Sequence, residues 1–530
     1  MRTLLLAALA CLGFSGCAAS WAQAPEVTIG SGTLRGLHPE ALPRGGAFLG
    51  IPFAAQPVGN LRWRAPELPP RWPGVRDAQQ YGPACPQFPS PWLPEMLGIR
   101  SMPTNEACLY LNVWTPDLRQ GANLPVFVWV HGGGNVEGSG EWPPLGVTLA
   151  RKGIVVVSLN YRLGVFGFLA GTALDAESAH HVSGNYGHLD QLAALEWVRR
   201  NIRQFGGNPG RVTIGGQSSG ALDVCNLMAS PLARGLFEGA VLQSGVCVDS
   251  VYPTLQEVST GVEQLAKDLG IAPGAEALSR LRALPADRVM QAAAADATLD
   301  LEPDIDGWVL PQQATETFAH GRQLAVPVLE GSNEDEVSIF ASSLVGGRSW
   351  RPATVAQYRD WLRNRFHSLA DQVFAEYPAR SDGDARRAFE TMDTDFDFGF
   401  GAWLLAHDTA RIGRKAFLYH FTYVGPGEFA ALGAFHAEES MFLSRRYWTT
   451  WTARPADQPL SRIIIGYWVQ FVKTGNPNGA DLPAWPTYSP QDRVCQRLGR
   501  RIGPEPVPRL KNFPVFQQYL TSRLEQQTAH

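Results

Sequence analysis

The chain has 530 residues, 45% hydrophobic and 18% charged, enough to bury a large core. Its formal net charge of −4, with no long basic block, argues against nucleic acid as a partner. Beyond the N-terminus no stretch sustains the roughly 18 unbroken apolar residues of a spanning helix, so no transmembrane span is expected.

Arg2, an apolar run from Leu4 to Phe14, and small residues ending in Ala22-Gln23-Ala24 read as an export signal over residues 1–24. Residues 25–530 are then the mature chain, periplasmic or secreted. Pro25 disfavours a cut directly before it, so the cleavage point stays open. A rival reading is a lipobox at Phe14-Ser15-Gly16-Cys17, which puts a lipid anchor on Cys17 at the outer membrane. Seven cysteines occur, two of them in the signal. Export permits disulfides. Cys85 and Cys108 flank a proline-rich loop and are the best pair; the partners of Cys225, Cys247 and Cys495 stay undetermined, with one left over.

Val27 to Arg35 reads as a hairpin, and Asn105 to Pro116 ends in a strand. Pro125 to Val130 is a wholly apolar strand that runs into His131-Gly132-Gly133-Gly134. Glycines there let backbone N–H groups converge on one point, as an oxyanion hole requires. A phosphate loop would need a G-x-x-x-x-G-K-[ST] frame, which is missing. Ile154 to Tyr161 is another buried strand, and Gln191 to Phe205 has helical spacing.

Next comes Gly216-Gln217-Ser218-Ser219-Gly220, between the β-branched run from Val212 and the helical run Leu222 to Met228. This G-x-S-x-G turn from strand to helix puts a serine at a strained apex. Ser218 has glycine two residues away on both sides; Ser219 has Gln217 and Ala221, so Ser218 is the better nucleophile. Gly239 to Gly245 gives a further strand. Leu255 to Val289 reads as cap helices broken at Pro273 and Pro285. Leu324 to Leu329 reads as a strand before the acidic turn Glu334-Asp335-Glu336. Arg351 to Tyr377 and Asp384 to Arg414 read as helices, Ala416 to Phe421 as a late strand, and Ile463 to Thr474 as the C-terminal helix. Alternating strands and helices predict an α/β fold: a mainly parallel central sheet flanked by helices, with helical cap insertions.

A serine hydroxyl needs a base, and the base needs an orienting acid. Six histidines follow Ser218. His530 is terminal; His320 and His367 read as surface residues, His407 and His420 as structural ones. His436, in the loop Gly433 to Glu439 after the late strand, is the best base. Glu336 is the candidate acid, with Asp335 and Glu334 as adjacent rivals.

From about Val27 to about Tyr519 the chain resembles the type-B carboxylesterases, the carboxylesterase/cholinesterase family of the α/β hydrolases. The resemblance is carried by Gly50-Ile51-Pro52-Phe53-Ala54, Leu61-Arg62-Trp63-Arg64-Ala65-Pro66, His131-Gly132-Gly133-Gly134, Asn160-Tyr161-Arg162-Leu163-Gly164, Gly184-Asn185-Tyr186-Gly187, Phe205-Gly206-Gly207-Asn208-Pro209, Gln243-Ser244-Gly245 and Lys473-Thr474-Gly475-Asn476-Pro477-Asn478. It implies an α/β-hydrolase fold and hydrolysis of a small-molecule ester through an acyl-enzyme, without metal or cofactor. It implies Ser218 as nucleophile, Glu336 as acid and His436 as base, with Gly133, Gly134 and Ser219 as the oxyanion hole. Ser244 and Glu439 would support the acid and base, and Cys85–Cys108 would be the family's first disulfide. The same triad serves lipases, polyesterases and amidases, and non-catalytic relatives serve in binding. The chain departs from the family where Gln217 replaces the usual glutamate before the nucleophile. Losing that carboxylate relaxes repulsion of anionic substrates, so esters with acidic, polycarboxylate acyl groups are expected.

Overall fold

The structure, a computed structural model, describes residues 24–89, 102–342, 350–448, 451, 454–455 and 457–528. Residues 1–23 of the expected signal, Cys17 included, and His530 lie outside the described residues.

Thirteen strands form among the described residues: β1 (Glu26–Ile29), β2 (Gly32–Arg35), β3 (Gly46–Pro52), β4 (Val75–Asp77), β5 (Tyr110–Thr115), β6 (Leu124–Val130), β7 (Val155–Leu159), β8 (Gly207–Gln217), β9 (Gly239–Gln243), β10 (Val328–Asn333), β11 (Ala416–Phe421), β12 (Val494–Leu498) and β13 (Gly503–Pro506). Ten of them make one sheet in the order β13-β12-β11-β10-β9-β8-β6-β7-β5-β3, and β1, β2 and β4 make a small second sheet. From β7 through β12 every pairing is parallel; β3, β5 and β13 close the edges antiparallel. The expected mainly parallel sheet is therefore present.

Its central strands β6 and β7 are almost wholly apolar because both faces are covered. Successive side chains of a strand point to opposite faces. Thus Val126, Val128 and Val130 of β6 enter one hydrophobic core, and Phe127 and Trp129 enter another. Helices Tyr186–Asn201 and Ser219–Ala229 contribute to the first core, helix Asp457–Thr474 to the second. The region after β9 forms three short helices, Gly261–Asp268, Ala277–Ala283 and Ala286–Ala295, with Pro273 and Pro285 in the gaps as expected.

Three expectations need correction. The strand expected from Leu324 starts at Val328, directly after Pro327, whose missing N–H cannot join a ladder. The loop expected to run through Glu439 ends earlier, since helix Glu438–Ser444 has already begun. Asp457–Thr474 is not the last helix: β12, β13 and helix Phe513–Thr528 follow it. That last helix packs Phe513, Phe516 and Tyr519 against Phe366, Phe396 and Phe400. This aromatic block carries the C-terminus to the mouth of the site. Cys85 pairs with Cys108 and Cys225 with Cys247, leaving Cys495 buried and free.

Candidate active site

Strand β8 ends at Gln217 and the next helix begins at Ser219, so Ser218 makes the whole turn. Its backbone sits at φ 56°, ψ −131°, a costly conformation for a residue with a Cβ. Fixed bonds hold it there. Ser218 N donates to Gln243 O at 2.8 Å, and Ser218 O accepts from Ala221 N at 2.9 Å and Leu222 N at 3.0 Å. The flanking glycines are required by close approach. A Cβ on Gly216 would strike the Gly220 carbonyl, and one on Gly220 would strike the carbonyls of Val130 and His131.

Beside the serine lies the glycine loop after β6. Gly133 and Gly134 have φ of +115° and +63°. Among the described residues the N–H groups of Gly133, Gly134 and Ser219 donate to no backbone acceptor outside regular elements. Ser219 is a first-turn helical residue, so its N–H has no intrahelical partner. The loop is pinned from below. Asn135 N donates to Ser219 Oγ and Asn135 Nδ2 to Asp223 Oδ1, both at 3.1 Å. The Tyr161 hydroxyl lies 2.9 Å from both His131 O and Asn135 Oδ1. Neither Asp223 nor Asn135 was singled out in the sequence; a buried aspartate one turn into the helix after a motif carries no local signal.

His436 Nδ1 lies 2.6 Å from Glu336 Oε2, and Glu336 is fully buried. The other oxygen, Glu336 Oε1, accepts Asn333 N at 2.7 Å. The rivals are committed elsewhere. Partial burial raises the Glu334 carboxyl, but its bonds to His420 and Arg509 prevail and hold it down at about 2. Asp335 accepts Ala434 N at 2.9 Å. Glu439 stands one step behind: its Oε2 accepts Asn333 Nδ2 at 2.8 Å, so Asn333 links the two glutamates. Burial, followed by the charge of Glu336, pushes the Glu439 carboxyl up. Phe340 and Phe398 flank the imidazole at 5.2 and 5.1 Å between centroids.

Ser244 does not support the acid as expected. Its hydroxyl is buried and bonds neither Glu336 nor Glu439. Its φ of +51° instead turns the chain out of β9, which brings Gly245 against the Ser218 carbonyl.

Gln217 reaches the base itself. Its Nε2 lies 3.0 Å from His436 Nε2. An amide N–H can only donate, so His436 Nε2 accepts and its proton resides on Nδ1, facing Glu336. This is the tautomer a general base needs. No bond joins Ser218 Oγ to His436 among the described residues, so the hydroxyl must displace the amide to reach Nε2. Gln217→Glu is expected to move the acidic limb of kcat/KM upward by about 1 pH unit. A carboxylate at Nε2 favours the imidazolium, so the base stays protonated to higher pH. A pH–rate profile checks this, and an unmoved limb would mean the contact is absent in the working enzyme.

Ser218, Gly134 and Ser219 open into a cavity of about 540 Å³, walled by Asp249, Phe396, Phe398, Arg365, Tyr519 and Arg523. Burial, then the charge of Asp397, pushes the Asp249 carboxyl up to about 8. Among the described residues no group of three or more His, Cys, Asp or Glu side chains is placed to hold a metal ion.

Comparison with known proteins agrees with this geometry. The model of the carboxylesterase family matches residues 23–505. Fumonisin B1 esterase of Sphingopyxis macrogoltabida is 37% identical over 470 residues, covering 86% of this chain and 84% of the relative. Carboxylesterase 1C of Mus musculus is 33% identical over 475 residues, covering 85% and 84%. A crystal structure of a Geobacillus stearothermophilus carboxylesterase superposes with a TM-score of 0.78 at 30% identity, over 93% of this chain and 100% of that one. The chain belongs to the carboxylesterase family, and it is a carboxylic ester hydrolase with the α/β-hydrolase fold.

Proposed function

We propose that the enzyme cleaves its esters through an acyl-enzyme on Ser218 and that its preferred acyl groups carry additional carboxylates. The observation that carries the first part is the convergence of three things: a strained serine at a strand–helix turn, a His436–Glu336 pair at 2.6 Å, and backbone N–H groups without backbone partners. His436 takes the Ser218 proton as Ser218 attacks the ester carbonyl. The N–H groups of Gly133, Gly134 and Ser219 stabilise the oxyanion. His436 then protonates the leaving alcohol, and water repeats the sequence on the acyl-enzyme. Glu336 holds the imidazole tautomer and stabilises the imidazolium.

The second part rests on charge. Gln217 puts a neutral amide where a glutamate would put a carboxylate next to the reacting centre, so anionic substrates meet less repulsion there. The similarity to fumonisin B1 esterase makes fumonisin B1 a substrate to try. We read residues 25–530 as one catalytic domain exported by the 1–24 signal. The two disulfides fit an oxidising compartment, and no described helix is long and apolar enough to cross a membrane.

The test is hydrolysis of p-nitrophenyl butyrate together with the mass of the adduct left by diisopropyl fluorophosphate. Hydrolysis with the adduct on Ser218 supports the mechanism. A folded, inert and unlabelled protein would overturn it.

A further inference from the structure

Among the described residues, two guanidinium groups in the wall of the catalytic cavity close no ion pair with a carboxylate. Arg365, on helix Val355–Phe366, and Arg523, on helix Phe513–Thr528, both line the cavity that contains Ser218. Arg365 is exposed and Arg523 half-buried, and among the described residues neither closes an ion pair within 4.0 Å, unlike the buried Arg62, Arg162 and Arg282. One side chain fixes both groups. The Arg365 guanidinium lies 6.0 Å from the Tyr519 ring centroid and 5.1 Å from that of Phe396. Arg523 Nη1 donates to the Tyr519 hydroxyl at 3.3 Å. Tyr519 and Arg523 are four residues apart on one helix, so they share a face. An aromatic scaffold that orients guanidiniums while leaving their forks unfilled suits planar, bidentate recognition of carboxylates.

The acids nearby offset this charge only in part: Asp393 and Asp397 feel Arg365 without closing an ion pair to it, and Glu302 lines the same cavity. Asp249 carries a carboxyl that burial pushes up to about 8, so it is mostly neutral near pH 7. Asp397 is held nearer the usual range, where burial pushes it up to about 6 against the pull of Arg365. Neither pairs directly with Arg365. Arg523 also borders a second cavity of about 810 Å³, which shares Tyr252, Leu301 and Glu302 with the first. Arg523 therefore stands at the junction between the catalytic cavity and the space outside it.

We propose that Arg365 and Arg523 form a clamp for the free carboxylates of a polycarboxylate acyl group, holding it while its esterified carboxyl faces Ser218. The proposal rests on the acyl-enzyme reading above and deepens it by naming what selects the substrate. Charge-assisted hydrogen bonds to exposed groups set the scale at about tenfold in kcat/KM for each arginine.

The experiment compares the mono-p-nitrophenyl ester of glutaric acid with p-nitrophenyl methyl glutarate, which has the same reach and no charge. Wild type is expected to favour the acid at least about tenfold at low ionic strength, and the preference should shrink as salt rises. Arg365→Gln with Arg523→Gln should bring the ratio of the two kcat/KM values close to one. Arg365→Lys and Arg523→Lys should leave part of it, since the charge remains and the fork does not. Should the double variant fail to fold, inhibition of wild type by propane-1,2,3-tricarboxylate against its neutral triamide decides the matter. A salt-sensitive advantage for the tricarboxylate supports the clamp, and equal inhibition overturns it. Wild-type hydrolysis of both esters with no preference for the acid overturns the clamp alone. Hydrolysis of neither, with no label on Ser218, overturns the acyl-enzyme reading beneath it.

Discussion

Ser218→Ala is expected to lower kcat for p-nitrophenyl butyrate by about a millionfold, the scale on which a serine nucleophile and its base act as one unit. The size follows from the turn. Ser218 occupies the apex between β8 and the following helix and lines the cavity. Removing the oxygen leaves His436 and Glu336 paired at 2.6 Å with nothing to activate. Some catalysis over water remains, because the N–H groups that face the cavity still polarise a bound carbonyl. Ser219 cannot take over. It is buried, and its Oγ already accepts Asn135 N at 3.1 Å, which ties it beneath the oxyanion loop. The kinetics should be read together with adduct mass after diisopropyl fluorophosphate. An active, labelled Ser218→Ala protein would move the nucleophile elsewhere and overturn the assignment.

The turn was legible in the sequence because its constraint is local. Gly216 and Gly220 are needed by contacts within a few residues of Ser218 and with the strand beside it, so the requirement is written in adjacent positions. The same holds for the glycine loop, where two positive φ values force two glycines. Strand Ala416–Phe421 was found at its full length because a buried run of aliphatic and aromatic residues, broken only by His420, has no other place to go. Legibility fades as a role comes to depend on distance along the chain. Glu336 could not be told from Asp335 by spacing; what separates them is that Asp335 is bound to Ala434 while Glu336 points at His436. Asn333 joins Glu336 to Glu439 through its backbone and its side chain at once, and nothing near it in sequence signals this. Arg365 and Arg523 lie 158 residues apart. They share a cavity wall because the final helix, absent from the expected elements, packs Phe516 and Tyr519 against Phe366 and Phe396. Pairing of Cys225 with Cys247 was likewise invisible among three candidates until the helix after the turn was laid beside the end of β9.

Glu336→Gln is expected to cost about 10⁴-fold in kcat while leaving the fold in place. The substitution keeps the shape and one bond: an amide oxygen can still accept Asn333 N where Glu336 Oε1 does now. The other position then carries an NH₂, and it faces His436 Nδ1. Two donors cannot share that contact, so the imidazole shifts its proton to Nε2. The nitrogen that should receive the Ser218 proton now has no lone pair. The effect propagates one bond further, because Gln217 Nε2 also donates to His436 Nε2 and would meet a second donor there. The loss therefore appears in kcat rather than in KM, since no substrate contact is touched. Glu336→Asp should fall between the two, keeping the tautomer but withdrawing the carboxylate by one methylene. The neighbours offer no rescue. Glu334 is held by His420 and Arg509, and Asp335 by Ala434. Steady-state kinetics on a neutral p-nitrophenyl ester, with thermal melting as the check on folding, measure the effect. A Glu336→Gln enzyme within tenfold of wild type would mean that the imidazole is oriented by some other group, and Glu336 would lose its role as the acid.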